Sequence, residues 1–237
     1  MGDTMEDRTF EGEAYAVLEA DGTLTQFRSD EKYEEGDVAT TRDVLGVERY
    51  GRVWECPEKF RHVLLPGWAR EPEDARSILA ARVADGQGIA APTSCKGWFY
   101  KCENMTEADL SGLDTSLTDD MSLMFAGCHS LETLDPSPLD TSKVTNMDSM
   151  FRECVGLLSL DLSDLDLSCL RSTDDMFRNC TSLGELRLPP APGLVSGTLM
   201  FDRCDCLAPE GPDVPEDSRF MFEWLISDVC REAEERG

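Results

Sequence analysis

Two histidines and ten cysteines are the residues of this 237-residue chain that could carry nucleophilic or metal chemistry. A cysteine nucleophile needs a base within reach, and Cys128 beside His129 is the one place where the two are neighbours in sequence; the other histidine is His62. Zinc would need a ligand spacing that is not here. There is no Cys-x-x-Cys, and Cys204-x-Cys206 stands without a second pair. Nor does the chain carry a His-Glu-x-x-His, a Gly-x-Ser-x-Gly, a phosphate-cradling glycine loop or a dinucleotide fingerprint.

The cysteines have another pattern. Cys102, Cys128, Cys154, Cys180 and Cys204 are spaced by 26, 26, 26 and 24 residues. Each follows an apolar pair by two residues: Trp98-Phe99, Met124-Phe125, Met150-Phe151, Met176-Phe177 and Met200-Phe201. A fixed period of this length is the mark of a solenoid, in which equivalent positions stack into a column. Cysteines in such a column are buried, small and inert. Cys128 is therefore expected to be structural, with no catalytic residue, metal or cofactor in the chain, and the thiols point to a reducing compartment.

Stepping outward from the apolar pairs, each copy divides into two walls. In the third, Leu158-Ser159-Leu160-Asp161-Leu162-Ser163 alternates strictly and predicts a strand with the leucines inward. Matching strands are expected at Ala108-Asp109-Leu110, Leu134-Asp135 and Leu186-Arg187-Leu188, stacked in parallel over about 20–25 Å at the usual strand spacing. The other wall runs from Leu139-Asp140-Thr141-Ser142 to Met147, Met150 and Phe151, with counterparts from Leu113 to Phe125 and from Leu165 to Phe177. It predicts a short capped helix in each copy.

The flanks supply the ends. Ala14–Leu18 and Thr23–Phe27 around Asp21-Gly22 predict a two-residue hairpin, residues 28–44 a loop, and Val47–Tyr50, Val53–Trp54 and Val63–Leu65 short strands. Pro72-Glu73-Asp74 opens a predicted helix running through Val83 and ended by Gly86. After Cys206, Pro209, Pro212 and Pro215 read as a connector and Asp217-Ser218 as the cap of a helix from Arg219 to about Glu235, with Met221, Trp224, Leu225 and Val229 on one face. The expected organisation is an α/β chain: an N-terminal α+β cap over 1–91, about five coils over 92–206, and a linker with capping helix over 207–237.

Charge narrows the partner. The net charge of −26 comes from 48 acids and 22 bases, which excludes a binder of nucleic-acid backbone or anionic membrane and favours a basic protein partner. The acidity is uneven, with 19 acids against 7 bases over residues 97–206. Asp109, Asp135 and Asp161 fall at equivalent outward positions, with Arg187 next in the series. They are expected either to receive basic groups of a partner or to hold turns by bonding to nearby backbone. Glu107, Thr133, Ser159 and Glu185 lie beside them on the predicted strand face and complete the candidate contact set. The start of the chain lacks the basic, apolar and small-residue order of an export signal, so a cytoplasmic location is expected for the sequence as written, or a surface location if a signal has been removed. The oligomeric state is left open.

The phrases Leu139-Asp140-Thr141-Ser142-Lys143-Val144-Thr145-Asn146-Met147-Asp148-Ser149-Met150-Phe151 and Leu157-Leu158-Ser159-Leu160-Asp161-Leu162-Ser163 resemble the BspA-like leucine-rich repeats of bacterial surface proteins and mycoplasma lipoproteins, long described as a domain of unknown function. Pro92-Thr93-Ser94 leading into Trp98-Phe99 is similar to the first repeat of that family, and the strand pair about Asp21-Gly22 to the one that often precedes it. The resemblance implies a leucine-rich-repeat-like fold and a non-enzymatic role in binding, often in adhesion. Three functions follow as expectations: a protein-binding module, an acidic cytoplasmic inhibitor such as an immunity protein or an anti-CRISPR-like nucleic-acid mimic, and a surface adhesin if the chain is exported.

Overall fold

The computed structural model describes residues 13–29, 38–42, 48–55, 66–83, 92–189, 191 and 193–207. The N-terminal layer begins with β1 (Glu13–Glu19) and β2 (Thr23–Ser29), antiparallel with Leu18 opposite Leu24. Their turn has three residues rather than two. Gly22 takes a φ of 87°, and the Thr23 N–H is held by Asp21 Oδ1 at 3.0 Å. A side chain at Gly22 would also strike Leu79, 2.6 Å from the position of a Cβ.

Three predictions in this layer need correction. The supposed loop contains β3 (Val38–Arg42), a β-branched run, and the two short strands expected after it are one strand, β4 (Glu48–Glu55). Val63–Leu65 lies outside the described residues. A short helix, α1 (Gly67–Arg70), precedes the predicted start at Pro72, and the helix expected through Val83 is only α2 (Pro72–Ser77). The chain leaves α2 in extended form at Ile78, whose side chain is fully buried, and continues as β5 (Ala80–Val83). Strand pairing on both sides overrides the helical pattern, because β5 lies parallel to β2 and to β6 (Glu107–Ala108) from the first repeat copy. The resulting sheet has the order β3-β4-β1-β2-β5-β6, so it crosses the expected boundary at residue 91.

The repeats stack through their Met-Phe segments. Between the first two copies, the N–H groups of Cys95, Gly97, Phe99 and Lys101 donate to the carbonyls of Asp120, Ser122, Met124 and Ala126 at 2.8–2.9 Å. The same four bonds recur from Met121, Leu123, Phe125 and Gly127, from Met147, Ser149, Phe151 and Glu153, and from Thr173, Asp175, Phe177 and Asn179. The intervening N–H groups of Trp98, Tyr100 and Cys102 turn back to the carbonyl three residues earlier. Each segment thus satisfies alternate N–H groups within itself and the others on its neighbour, which accounts for the buried backbone without a helix.

This corrects the predicted helical wall. A helix would need continuous right-handed dihedrals, but each copy places two residues at positive φ around its Met-Phe pair, such as Ser149 at 56° and Glu153 at 62°. Backbone strain there is offset by the inter-copy bonds and by the packing they permit. Phe99, Phe125, Phe151, Phe177 and Phe201 form a buried stack with centroids 5.1–5.7 Å apart. The last three of the four ring pairs, from Phe125 to Phe201, are within 4° of parallel.

The predicted strand wall is the discontinuous one. Beyond β6 the described residues of this wall contain only β7 (Ser159–Asp161) and β8 (Glu185–Arg187), paired in parallel. In the second copy, Leu134-Asp135 is followed by Pro136 and is not a strand. The equivalent residue of the third copy, Leu162, donates its N–H to the Arg187 carbonyl at 2.9 Å, a bond that proline cannot supply.

At its beginning the ladder meets the N-terminal layer. Among the described residues no backbone N–H donates to the Trp98 carbonyl, and the indole N–H of buried Trp68 donates to it in the place of a preceding Phe N–H. The two indoles meet edge to face at 6.1 Å, and Arg76 pairs with Glu103 at 2.9 Å beside them. Nearby, the buried Glu19 carboxylate is held by Arg82 at 3.2 Å and by the Thr25 hydroxyl at 2.7 Å.

Candidate partner-binding surface

The cysteines set what the interior can do. Cys128, Cys154, Cys180 and Cys204 are buried, and each thiol donates to the Phe carbonyl of the preceding copy at 2.9–3.1 Å. Desolvation pushes the Cys154 and Cys204 thiols up to about 12 and Cys128 well above the ordinary thiol range. The thiolate is the reactive form, so this environment disfavours chemistry at Cys128 even though His129 is adjacent and exposed. Among the described residues no group of three or more His, Cys, Asp or Glu side chains could hold a metal ion.

Polar chemistry lies on the outside, in aspartates that repeat. Asp109, Asp135 and Asp161 each accept the backbone N–H two residues ahead, from Ser111, Ser137 and Ser163, at 2.9–3.0 Å. The serine side chain and then its N–H hold each of these three carboxyls below the usual aspartate range. The reason is electrostatic: a donor aimed at the carboxylate stabilises the charged form. One oxygen fixes the turn, and the residue as a whole remains exposed.

The other predicted contacts fall near these turns but do not form one unbroken column. Glu107 is exposed on β6, opposite Ala80, and exposed Thr133 precedes the Pro136 interruption. Ser159 and Glu185 are register partners in β7 and β8, as are Asp161 and Arg187. Arg187 meets Asp161 at 3.2 Å with the side chains 77% and 50% exposed, so it neutralises the end of the Asp series. That pair is too solvated to contribute much stability.

A second series was not among the predicted contacts. Asp114, Asp140 and Asp166 accept the N–H groups of Ser116, Ser142 and Ser168 at 2.9–3.0 Å, which makes turns of the segments expected to cap helices. Their signal was present as Asp-x-Ser recurring at the 26-residue period. Ser142 and then its backbone N–H lower the Asp140 carboxyl, and Ser168 does the same for Asp166. A third set works between copies: Asp148 accepts the Ser172 hydroxyl at 2.6 Å and the Asp174 N–H at 2.8 Å, and Asp174 repeats this with Ser196 and Thr198.

A family model described as a mycoplasma protein of unknown function, DUF285, matches residues 93–187, which takes in the first four copies and stops before the fifth. This is compatible with the resemblance drawn from the repeat phrases. No curated protein and no solved structure matches the chain. Among the described residues no helix is long and apolar enough to cross a membrane.

Proposed function

We propose that residues 92–206 form a leucine-rich-repeat-like solenoid of about five coils and that the chain is a non-enzymatic protein-binding module for a basic partner. The observation that carries this reading is the repeated, pinned aspartate turn. Asp109, Asp135 and Asp161 in one series and Asp114, Asp140 and Asp166 in another are exposed and locally tethered. Carboxylates already fixed in place lose little conformational freedom when a partner binds, so their attraction is less offset by ordering. The resemblance to BspA-like repeats supports a binding role, and the charge of −26 supports a basic partner.

Capture from cytosol and from host-surface fractions, washed at low and high salt and read by mass spectrometry, tests the proposal. The expected result is one basic protein retained at low salt and released at high salt, because exposed charges are screened within about 8 Å at physiological ionic strength. Capture of a nucleic-acid-handling enzyme with loss of its activity would specify an inhibitor, and capture of an envelope or host-surface protein would specify an adhesin. A neutral or acidic partner held equally at both salts would refute the charge-based reading.

A further inference from the structure

Just before β8 the repeats leave a gap that the fold does not require. Thr106, Glu132 and Leu158 occupy the equivalent place in the first three copies, and the fourth has Gly184, which is exposed. Gly184 is not among the residues at positive φ, and a Cβ there would meet only the carbonyl oxygens of Leu158 and Cys206, each 3.9 Å away. Gly112 and Gly156 differ, because a Cβ would lie 2.7 Å from Val83 at the first and 2.4 Å from the His129 carbonyl oxygen at the second. A glycine at a strand that neither dihedral nor packing demands marks a place that another group approaches closely. The gap adjoins apolar surface. The Gly184 N–H donates to the Leu158 carbonyl at 2.9 Å, and Leu158 is 50% exposed, with Val155 three residues earlier 37% exposed. On its other side the Leu158 N–H donates to the carbonyl of exposed Glu132 at 3.0 Å, while exposed Glu185 directly follows the gap.

We infer that Leu158, Val155 and the gap at Gly184 form the apolar anchor point of the partner surface, taking one aliphatic side chain that is flanked on the partner by basic residues. This rests on the basic-partner reading and adds what that reading lacks. Solvated carboxylates steer and select a partner, but each exposed ion pair contributes little, whereas an aliphatic side chain seated against Leu158 removes apolar area from water. Charge selects the flanks. Glu132 and the gap are two copies apart, roughly 10 Å at the usual strand spacing, so acids stand on both sides of the apolar step and favour a cation beside the anchoring side chain. A second copy of this chain, at −26, fits such a site poorly.

The test is an NMR titration of the isotope-labelled full-length protein with end-blocked Arg-Leu-Arg and Arg-Ser-Arg tripeptides. Arg-Leu-Arg should shift the amides of Val155, Leu158, Gly184 and Glu185 and bind about fivefold or more tighter than Arg-Ser-Arg, the worth of partly burying one aliphatic side chain. Gly184→Val fills the gap without a clash, so it should abolish that preference while the melt stays unchanged or rises. Leu158→Ser, on the exposed side of the same step, should abolish it too. Equal affinity of the two peptides for wild type, absence of shifts at these amides, or a preference that survives both substitutions overturns the inference. Shifts confined to the Asp-x-Ser turns would overturn it and leave the acidic-surface reading standing, whereas a Ser-Leu-Ser peptide that binds as tightly as Arg-Leu-Arg would overturn both. Shifts at Leu158 that follow protein concentration without peptide would assign the step to a second copy and overturn it as well.

Discussion

Replacing Phe151 by alanine should be among the most damaging single substitutions in the repeats. Its ring is fully buried between Phe125 and Phe177, each at 5.6 Å and within 2° of parallel. Removing a buried phenylalanine generally costs about 3–5 kcal/mol, and each ring contact contributes about 0.5–1.5 kcal/mol beyond area. With two ring neighbours, Phe151→Ala belongs at the upper end of that range. Phe201 has one described ring neighbour, so Phe201→Ala should cost less by about one such contact, roughly 0.5–1.5 kcal/mol. Urea unfolding followed by circular dichroism gives both values by linear extrapolation. A double-mutant cycle between Phe125 and Phe151 should show coupling, while Phe99 and Phe177, two copies apart, should be additive. A loss below about 1 kcal/mol for Phe151→Ala, or equal losses at Phe151 and Phe201, would refute the stack as the organising core.

Thiol labelling of the native protein should modify exposed Cys206 and spare Cys128, Cys154 and Cys180, which react only after unfolding; rapid native labelling of Cys154 would contradict its buried hydrogen bond. Gly127→Ala should destabilise by about 1 kcal/mol, since Gly127 sits at φ 79° with a prospective Cβ 3.2 Å from the Lys101 side chain, and Glu153→Gly at the equivalent position should stabilise by a similar amount; thermal melts that reverse these signs would count against the positive-φ turns. The carboxyls of Asp109, Asp135, Asp140, Asp161 and Asp166 lie below their ordinary values when folded. The folded state therefore holds fewer protons there than the unfolded state. Their stabilisation is complete above the ordinary aspartate value of about 4 and is lost as pH falls through the lower folded values. Melting temperature should accordingly decline below about pH 4, and a decline that begins near neutrality would assign acid sensitivity to other groups.

The repeat period was legible because core spacing is written directly in Met-Phe and Cys. Its local conformation was not. Apolar residues three and four apart suit a helix, but Met147, Met150 and Phe151 reach the core through paired turns because alternate N–H groups find carbonyls 25 residues away, a nonlocal choice invisible in one copy. The leucine alternation overstated the strand wall for a related reason: Pro136 removes one bond that the pattern of side chains does not report. At the N-terminal end, Ile78 to Val83 looks helical locally, but Ala80–Val83 becomes a strand because β2 and β6 lie on either side. The expected C-terminal helix and its Met221, Trp224, Leu225 and Val229 face lie outside the described residues. On the surface, the turn-holding role expected of Asp109, Asp135 and Asp161 is present, whereas Asp114, Asp140 and Asp166 were read as helix caps and hold turns instead. Asp-x-Ser shows both functions at once, a turn-forming oxygen within an exposed carboxylate.

Asp109→Asn, Asp135→Asn and Asp161→Asn combined provide the most direct test of the proposed binding surface, because asparagine can keep the same oxygen in the turn while removing the charge. The affinity of this variant and of wild type for the captured basic protein should be titrated across salt concentrations, with a matched melt to confirm the fold. Binding through these carboxylates predicts a preserved melt, weaker binding at low salt and a shallower salt dependence. A variant with the wild-type affinity and salt slope would contradict the assignment of this face to partner binding.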